Sequence, residues 1–188
     1  LDIDFESTTS VAAPGATPSV TAAINAKPDV FTYLFTPRFK ISPDMMVYAR
    51  FASGYRPGGP NPGVYGFGIP ESFTPDTTEN YEIGIKGNAF GRALSFDASV
   101  YYIDWKDIQL LVLNPATFRA YNTNGSRAKS QGVELSMEAR PRSGLTVGAW
   151  VTFNEAELTR DLPPTATVIG GPGDRLPNTS RVSGNLSV

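Results

Sequence analysis

Arg56, in the run Gly54-Tyr55-Arg56-Pro57-Gly58-Gly59, is the side chain here best suited to ligand chemistry. A guanidinium pairs bidentately with carboxylate or phosphate, so Arg56 and nearby Asn61 are candidate contacts for an external small molecule. The same run also reads as a rigid corner, with Pro57 fixing φ and Gly58-Gly59 allowing the bend. Asp104, Asp107 and Asp174 carry oxygens that suit a hard cation, but their spacing fits no calcium loop and no metal site is expected. Gly170-Gly171-Pro172-Gly173-Asp174 lacks the lysine and the strand-helix setting of a phosphate-binding loop. Tyr101, Tyr102 and Trp105 cluster as aromatics do at a membrane interface. A platform for a sugar or aromatic ligand is their alternative role, and strict alternation puts Ile103 and Trp105 on the face opposite Tyr102.

What is missing excludes more. The chain has no histidine and no cysteine, which removes Ser-His-Asp and Cys-His catalysis, thiolate metal sites and disulfides. No catalytic residue and no cofactor is expected, and the chain does not read as an enzyme. A formal net charge of -2 gives no general attraction to nucleic acid. The apolar runs, such as Leu110 to Leu113, are far short of the roughly 20 residues a membrane-crossing helix needs.

The elements that must position these residues are strands. Apolar residues recur at every second position, the pattern of a ribbon with two different surroundings. Phe31 to Ile41 alternates, with Pro37 interrupting the ladder. Met45, Val47, Ala49 and Phe51 oppose Met46, Tyr48 and Arg50, and Tyr81, Ile83 and Ile85 oppose Glu82, Gly84 and Lys86. Leu94 to Tyr102, Val133 to Arg140, Leu145 to Phe153 and Arg181 to Val188 follow suit; with a short strand at Leu1 to Phe5 the count is about eight. Arg38, Lys40, Arg50, Glu82, Lys86, Asp97, Glu134, Glu138 and Arg140 share the polar side with mixed sign, as ion-pair ladders on a wetted wall require.

The connections alternate in length. Tight turns at Ser42-Pro43-Asp44, Ala89 to Arg92 and Pro141 to Gly144 separate long segments at Ser7 to Val30, Tyr55 to Thr77, Asp107 to Gly125 and Leu158 to Thr179. Short turns at one end and long loops at the other match an outer-membrane barrel. Two other architectures fit the alternation: a complete small eight-stranded outer-membrane barrel, and a secreted β-sandwich that binds carbohydrate.

Four stretches, in order, resemble the barrel of TonB-dependent outer-membrane receptors: Ala49 to Asn61, Phe73 to Gly87, Val100 to Gln109, and Asn122 to Gly125 with Ala128 to Leu135. The resemblance covers the middle of the chain, about Thr36 to Leu145. It implies an all-β, antiparallel up-and-down meander forming part of a transmembrane barrel of about 22 strands with a plugged lumen. Residues 1–188 then read as partial barrel, without plug domain or signal peptide, and as an excised piece or a mature chain lacking its start. The function implied is uptake of a scarce solute across the outer membrane, a ferric siderophore being the usual case. The implied partners are the TonB complex acting through a plug, the external ligand and membrane lipid; unpaired edges of such a piece would pair with another copy or with a larger assembly.

Overall fold

A computed structural model describes residues 30–64, 67–164, 166 and 169–188, with the backbone of two short paired strands, β1 (Ser10–Val11) and β2 (Ser19–Val20). The strand expected at Leu1 to Phe5 lies outside the described residues. Twelve further strands follow: β3 (Leu34–Phe35), β4 (Arg38–Ser42), β5 (Met45–Arg56), β6 (Gly59–Pro60), β7 (Ser72–Phe73), β8 (Asp76–Ala89), β9 (Leu94–Lys106), β10 (Gln109–Leu113), β11 (Ala120–Asn124), β12 (Arg127–Arg142), β13 (Leu145–Leu158) and β14 (Val182–Ser187). Eight of them form one antiparallel sheet in the order β14-β13-β12-β9-β8-β5-β3, with β4 also on β5. Pro37 separates β3 from β4, and its carbonyl still accepts the Ala49 amide at 3.1 Å, so both pieces stay on β5.

Register explains the alternation. Ala49, Ile83, Val100, Val133, Phe153 and Val182 lie side by side as one rung across six strands, and Val47, Ile85, Ala98, Leu135 and Val151 form the next. These rungs are uncovered: Ile83 is 64 % exposed and Val100 52 %. Among the described residues no second layer lies against them, so the β-sandwich expectation fails. Nor does the sheet close: β14 pairs with β13 alone, and β3 and β4 with β5 alone, which sets aside the complete small barrel for the described residues. One open, two-faced, all-β layer remains, as the meander expectation requires.

The apolar rows end at a defined height. Phe35, Phe51, Tyr81 and Tyr102 make an aromatic rung, the first two rings stacked 6.3 Å apart and Tyr81 edge-on to Phe51 at 6.1 Å. The next rung toward the long loops is charged: Glu79, Asp104, Lys129 and Glu157 on the same face, with Lys106 and Arg127 one rung beyond. These charges pair among themselves, Lys106 with Glu79 at 2.8 Å, Lys129 with Glu157 at 3.0 Å and Arg127 with Asp104. A belt of apolar rungs capped by aromatics and then by ion pairs is the cross-section expected where hydrocarbon gives way to headgroups.

The short connections after β8 and β12 are tight turns that use left-handed backbone. Phe90, Gly91 and Arg92 all have positive φ between β8 and β9, and Gly144 takes φ 80° between β12 and β13. The long segments are more ordered than the sequence suggests. β6 pairs β7 and β10 pairs β11, making two small hairpins inside stretches expected to be irregular. The buried apolar clusters lie at this end: Val64, Ile69, Val112 and Tyr121 form one, and Ile108, Ala128 and Leu158 another.

Candidate functional site

The polar face of the sheet carries a continuous network. Tyr48 donates to Glu82 Oε1 at 2.6 Å, Arg50 pairs with the other Glu82 oxygen at 3.5 Å, and Lys86 pairs with Asp97 at 2.5 Å while lying 4.9 Å from the Tyr48 ring centre. Tyr48 is buried because its ring lies over Gly84, where a Cβ would overlap it. Gly132 makes the same kind of socket for Tyr101, whose hydroxyl donates to Asn154 Oδ1 at 3.2 Å. Tyr48, Arg50, Glu82, Lys86 and Asp97 line a hollow of about 480 Å³ with Glu134, Ser136, Trp150 and Thr152. Balanced charge and many acceptors give it a wettable surface with no bias of sign for selecting ions.

At the long-loop end the same face carries a second polar cluster. Arg56 and Asp76 are register partners at the end of the β5–β8 ladder. Asp76 is 2 % exposed and takes a two-pronged pair from Arg56, Nε approaching Oδ2 at 3.1 Å. Its Oδ2 also accepts the Gln109 amide at 3.3 Å. Gln109 Nε2 in turn donates to the carbonyls of Pro57 at 2.8 Å and Thr74 at 3.1 Å, tying β10 to both ends of the loop between β5 and β8. The guanidinium so held lies 5.6 Å from the Trp105 ring centre, within cation–π range.

Arg56 and Trp105 open onto a cavity of about 860 Å³. It is lined by Ile108, Gln109, Leu110, Leu158, Leu162 and Leu176, with the exposed Ile169, Asp174 and Arg175 at its edge. Its size falls within the roughly 300–1,000 Å³ of small-molecule sites, and its apolar lining with a few fixed polar groups is their usual make-up.

The sequence-derived candidates separate on inspection. Arg56 and Trp105 share the cavity. Asn61 is buried elsewhere: its amide donates to the carbonyls of Pro70 at 3.0 Å and Asn122 at 2.7 Å, and its Oδ1 accepts the Asn122 amide at 2.8 Å. It clamps two loops together, with its polar atoms engaged inside the protein. Tyr102 stands in the aromatic rung on the apolar face, whereas Tyr101 and Trp105 are on the polar face. Asp104 pairs with Arg127, Asp107 gives its carbonyl to Asn124, and Asp174 accepts the Gly171 amide at 2.8 Å, so the three acids are not gathered. Among the described residues no group of three acidic, histidine or cysteine side chains is placed to hold a metal.

Sequence reasoning missed Asp76, Gln109 and the leucines of the loop between β13 and β14. Asp76 and Gln109 stand inside the quoted stretches, but their contacts span 20 to 53 residues and leave no local signal. The leucines fall in a segment without periodicity.

A family model described as TonB dependent receptor-like, beta-barrel, matches residues 4–188. Among solved structures, the ferric yersiniabactin uptake receptor FyuA from Yersinia pestis is similar at 24 % identity and TM-score 0.69 over 89 % of this chain. The siderophore receptor PiuA from Acinetobacter baumannii is similar at 17 % identity and TM-score 0.70 over 97 %. The ferric-catecholate import receptor Fiu from E. coli is similar at 17 % identity and TM-score 0.57 over 84 %. The matches cover 24 %, 26 % and 24 % of those proteins, so this chain spans about a quarter of their length.

Proposed function

Since the chain belongs to the TonB-dependent receptor-like β-barrel family, we propose that it supplies wall and outer loops to an outer-membrane receptor that imports a scarce solute. The observation carrying this reading is the division of one sheet into an apolar face, bounded by the Phe51-Tyr81-Tyr102 rung, and a charged face. A surface of that kind suits hydrocarbon outside and a polar plug inside. In this reading the loop cavity receives the solute, and TonB acts on the plug to release it inward. The siderophore receptors of similar fold favour a ferric siderophore as cargo. The free edges of β14 and of β3 and β4 then continue into the rest of the barrel wall. Such a receptor binds and transports; it performs no covalent chemistry.

The test is uptake by the full-length receptor. Expressed in a Gram-negative host lacking its own siderophore receptors, it should fractionate with the outer membrane and restore uptake of radiolabelled ferric siderophore, and that uptake should vanish when TonB is removed. Uptake that persists without TonB, or a protein that leaves the membrane with a salt wash, would overturn the reading.

A further inference from the structure

The cavity beside Arg56 is more particular than a general mouth. Its walls are Trp105, Ile108, Leu110, Leu158, Leu162 and Leu176, which reward contact with an apolar body and offer nothing to a hydrated one. Its rim charges are not equally available. Asp76 is buried beneath Arg56, and Asp174 is engaged by the Gly171 amide of its own loop. Arg175 Nη2 donates to the Thr179 carbonyl at 2.9 Å, whereas Arg56 stands half-exposed at the opening and among the described residues its Nη1 makes no hydrogen bond or ion pair. The Arg56 head is already fixed by Asp76 and lies within cation–π range of Trp105, so a ligand oxygen meets a donor whose ordering cost has been met by the fold.

From this arrangement we propose that the cavity receives the flat apolar part of an organic acid, its ring against Trp105 and the leucine wall and its anionic oxygen on Arg56. The inference rests on the import reading above and narrows its ligand. It excludes two simpler cargoes for this cavity: a bare metal ion, for which the described residues gather no ligand set, and a small hydrophilic acid, which would leave the apolar walls wet.

The experiment uses the full-length receptor in a zwitterionic detergent with three probes: 1-naphthoate, 1-naphthalenemethanol and citrate. Naphthoate should bind and citrate should not displace it. Trp105→Phe keeps an aromatic of smaller face and should weaken both naphthalene probes about threefold. Ile169→Glu changes a side chain that is fully exposed at the cavity edge, so folding is spared. The added carboxylate should weaken naphthoate about fivefold and leave the neutral alcohol unchanged. Partition into detergent is common to all the proteins and cancels between them. Citrate displacing naphthoate, naphthoate failing to bind, or both variants binding as the parent does would overturn the proposal. Loss of TonB dependence would strike the import reading and leave these binding ratios standing, whereas unaltered binding in a receptor that still imports would strike only the ligand class.

Discussion

Arg56 and Asp76 form one rung of the β5–β8 ladder, yet water reaches only one of them: the arginine side chain is 52 % exposed and the aspartate 3 %. The two residues are therefore not equivalent to mutation. Arg56→Met leaves a buried carboxylate unpaired and should cost about 3 kcal/mol. Asp76→Asn removes the buried charge, frees a guanidinium that water can solvate, and should cost about 1 kcal/mol. Urea unfolding of the receptor in lipid vesicles, followed by circular dichroism, gives the comparison; equal losses would show that the carboxylate is not the sensitive partner.

The apolar face makes a prediction graded by depth. Val151 sits mid-belt, and Glu155 stands on the same face of β13 at the height of the aromatic rung. Val151→Lys should destabilise by about 2–4 kcal/mol and Glu155→Lys by no more than about 1 kcal/mol, because a cation is tolerated at the interface and not in hydrocarbon. The same vesicle titration reads both, and similar losses would argue against lipid on this face.

The socket under Tyr48 is a third test. Gly84→Ala places a methyl where the ring lies and should cost about 1–3 kcal/mol by overpacking. Tyr48→Ala empties that space. In the double variant the Gly84 substitution should become nearly free, a coupling of about 1 kcal/mol or more in a double-mutant cycle. Additive losses would mean that the two side chains do not share the space.

Asn61 ties the loop between β5 and β8 to β11 without touching the sheet. Asn61→Ala should therefore loosen the loops while sparing the wall. Limited proteolysis should cut near Val64 and Phe118 at least about fivefold faster, as a local opening cost falls, with the vesicle unfolding midpoint unchanged. An unchanged cleavage rate would show that the remaining bonds, such as Arg119 Nη1 to the Gly63 carbonyl at 2.9 Å, suffice.

How far the sequence could be read follows from what each residue meets. Between Leu94 and Tyr102 every side chain on one face sees the same surroundings, so alternation is clean and the strand is legible. It continues to Lys106, but Asp104 and Lys106 put charge on the formerly apolar face, and the pattern breaks although the hydrogen bonding does not. The alternation stops short of the ends of β8 and β12 for the same reason, at Glu79 and at Gln131 and Lys129. The hairpin of β10 and β11 was unreadable because Leu110 and Val112 pack inward while Leu111 is also apolar and exposed, a pattern without contrast. At the site, Arg56 was visible as a charged residue in a glycine-rich corner. Its partners Asp76 and Gln109 were not, since only the fold brings them to it.

Every neighbouring pair in the main sheet joins strands that also follow one another along the wall, with a small hairpin between β5 and β8 and between β9 and β12 and a long loop between β13 and β14. Such an arrangement has a kinetic consequence. Each strand finds its partner already beside it, so loop closure stays local and its entropy cost small. Assembly can then proceed as a growing edge that accepts one ribbon at a time, and an error at one strand is confined to its two neighbours.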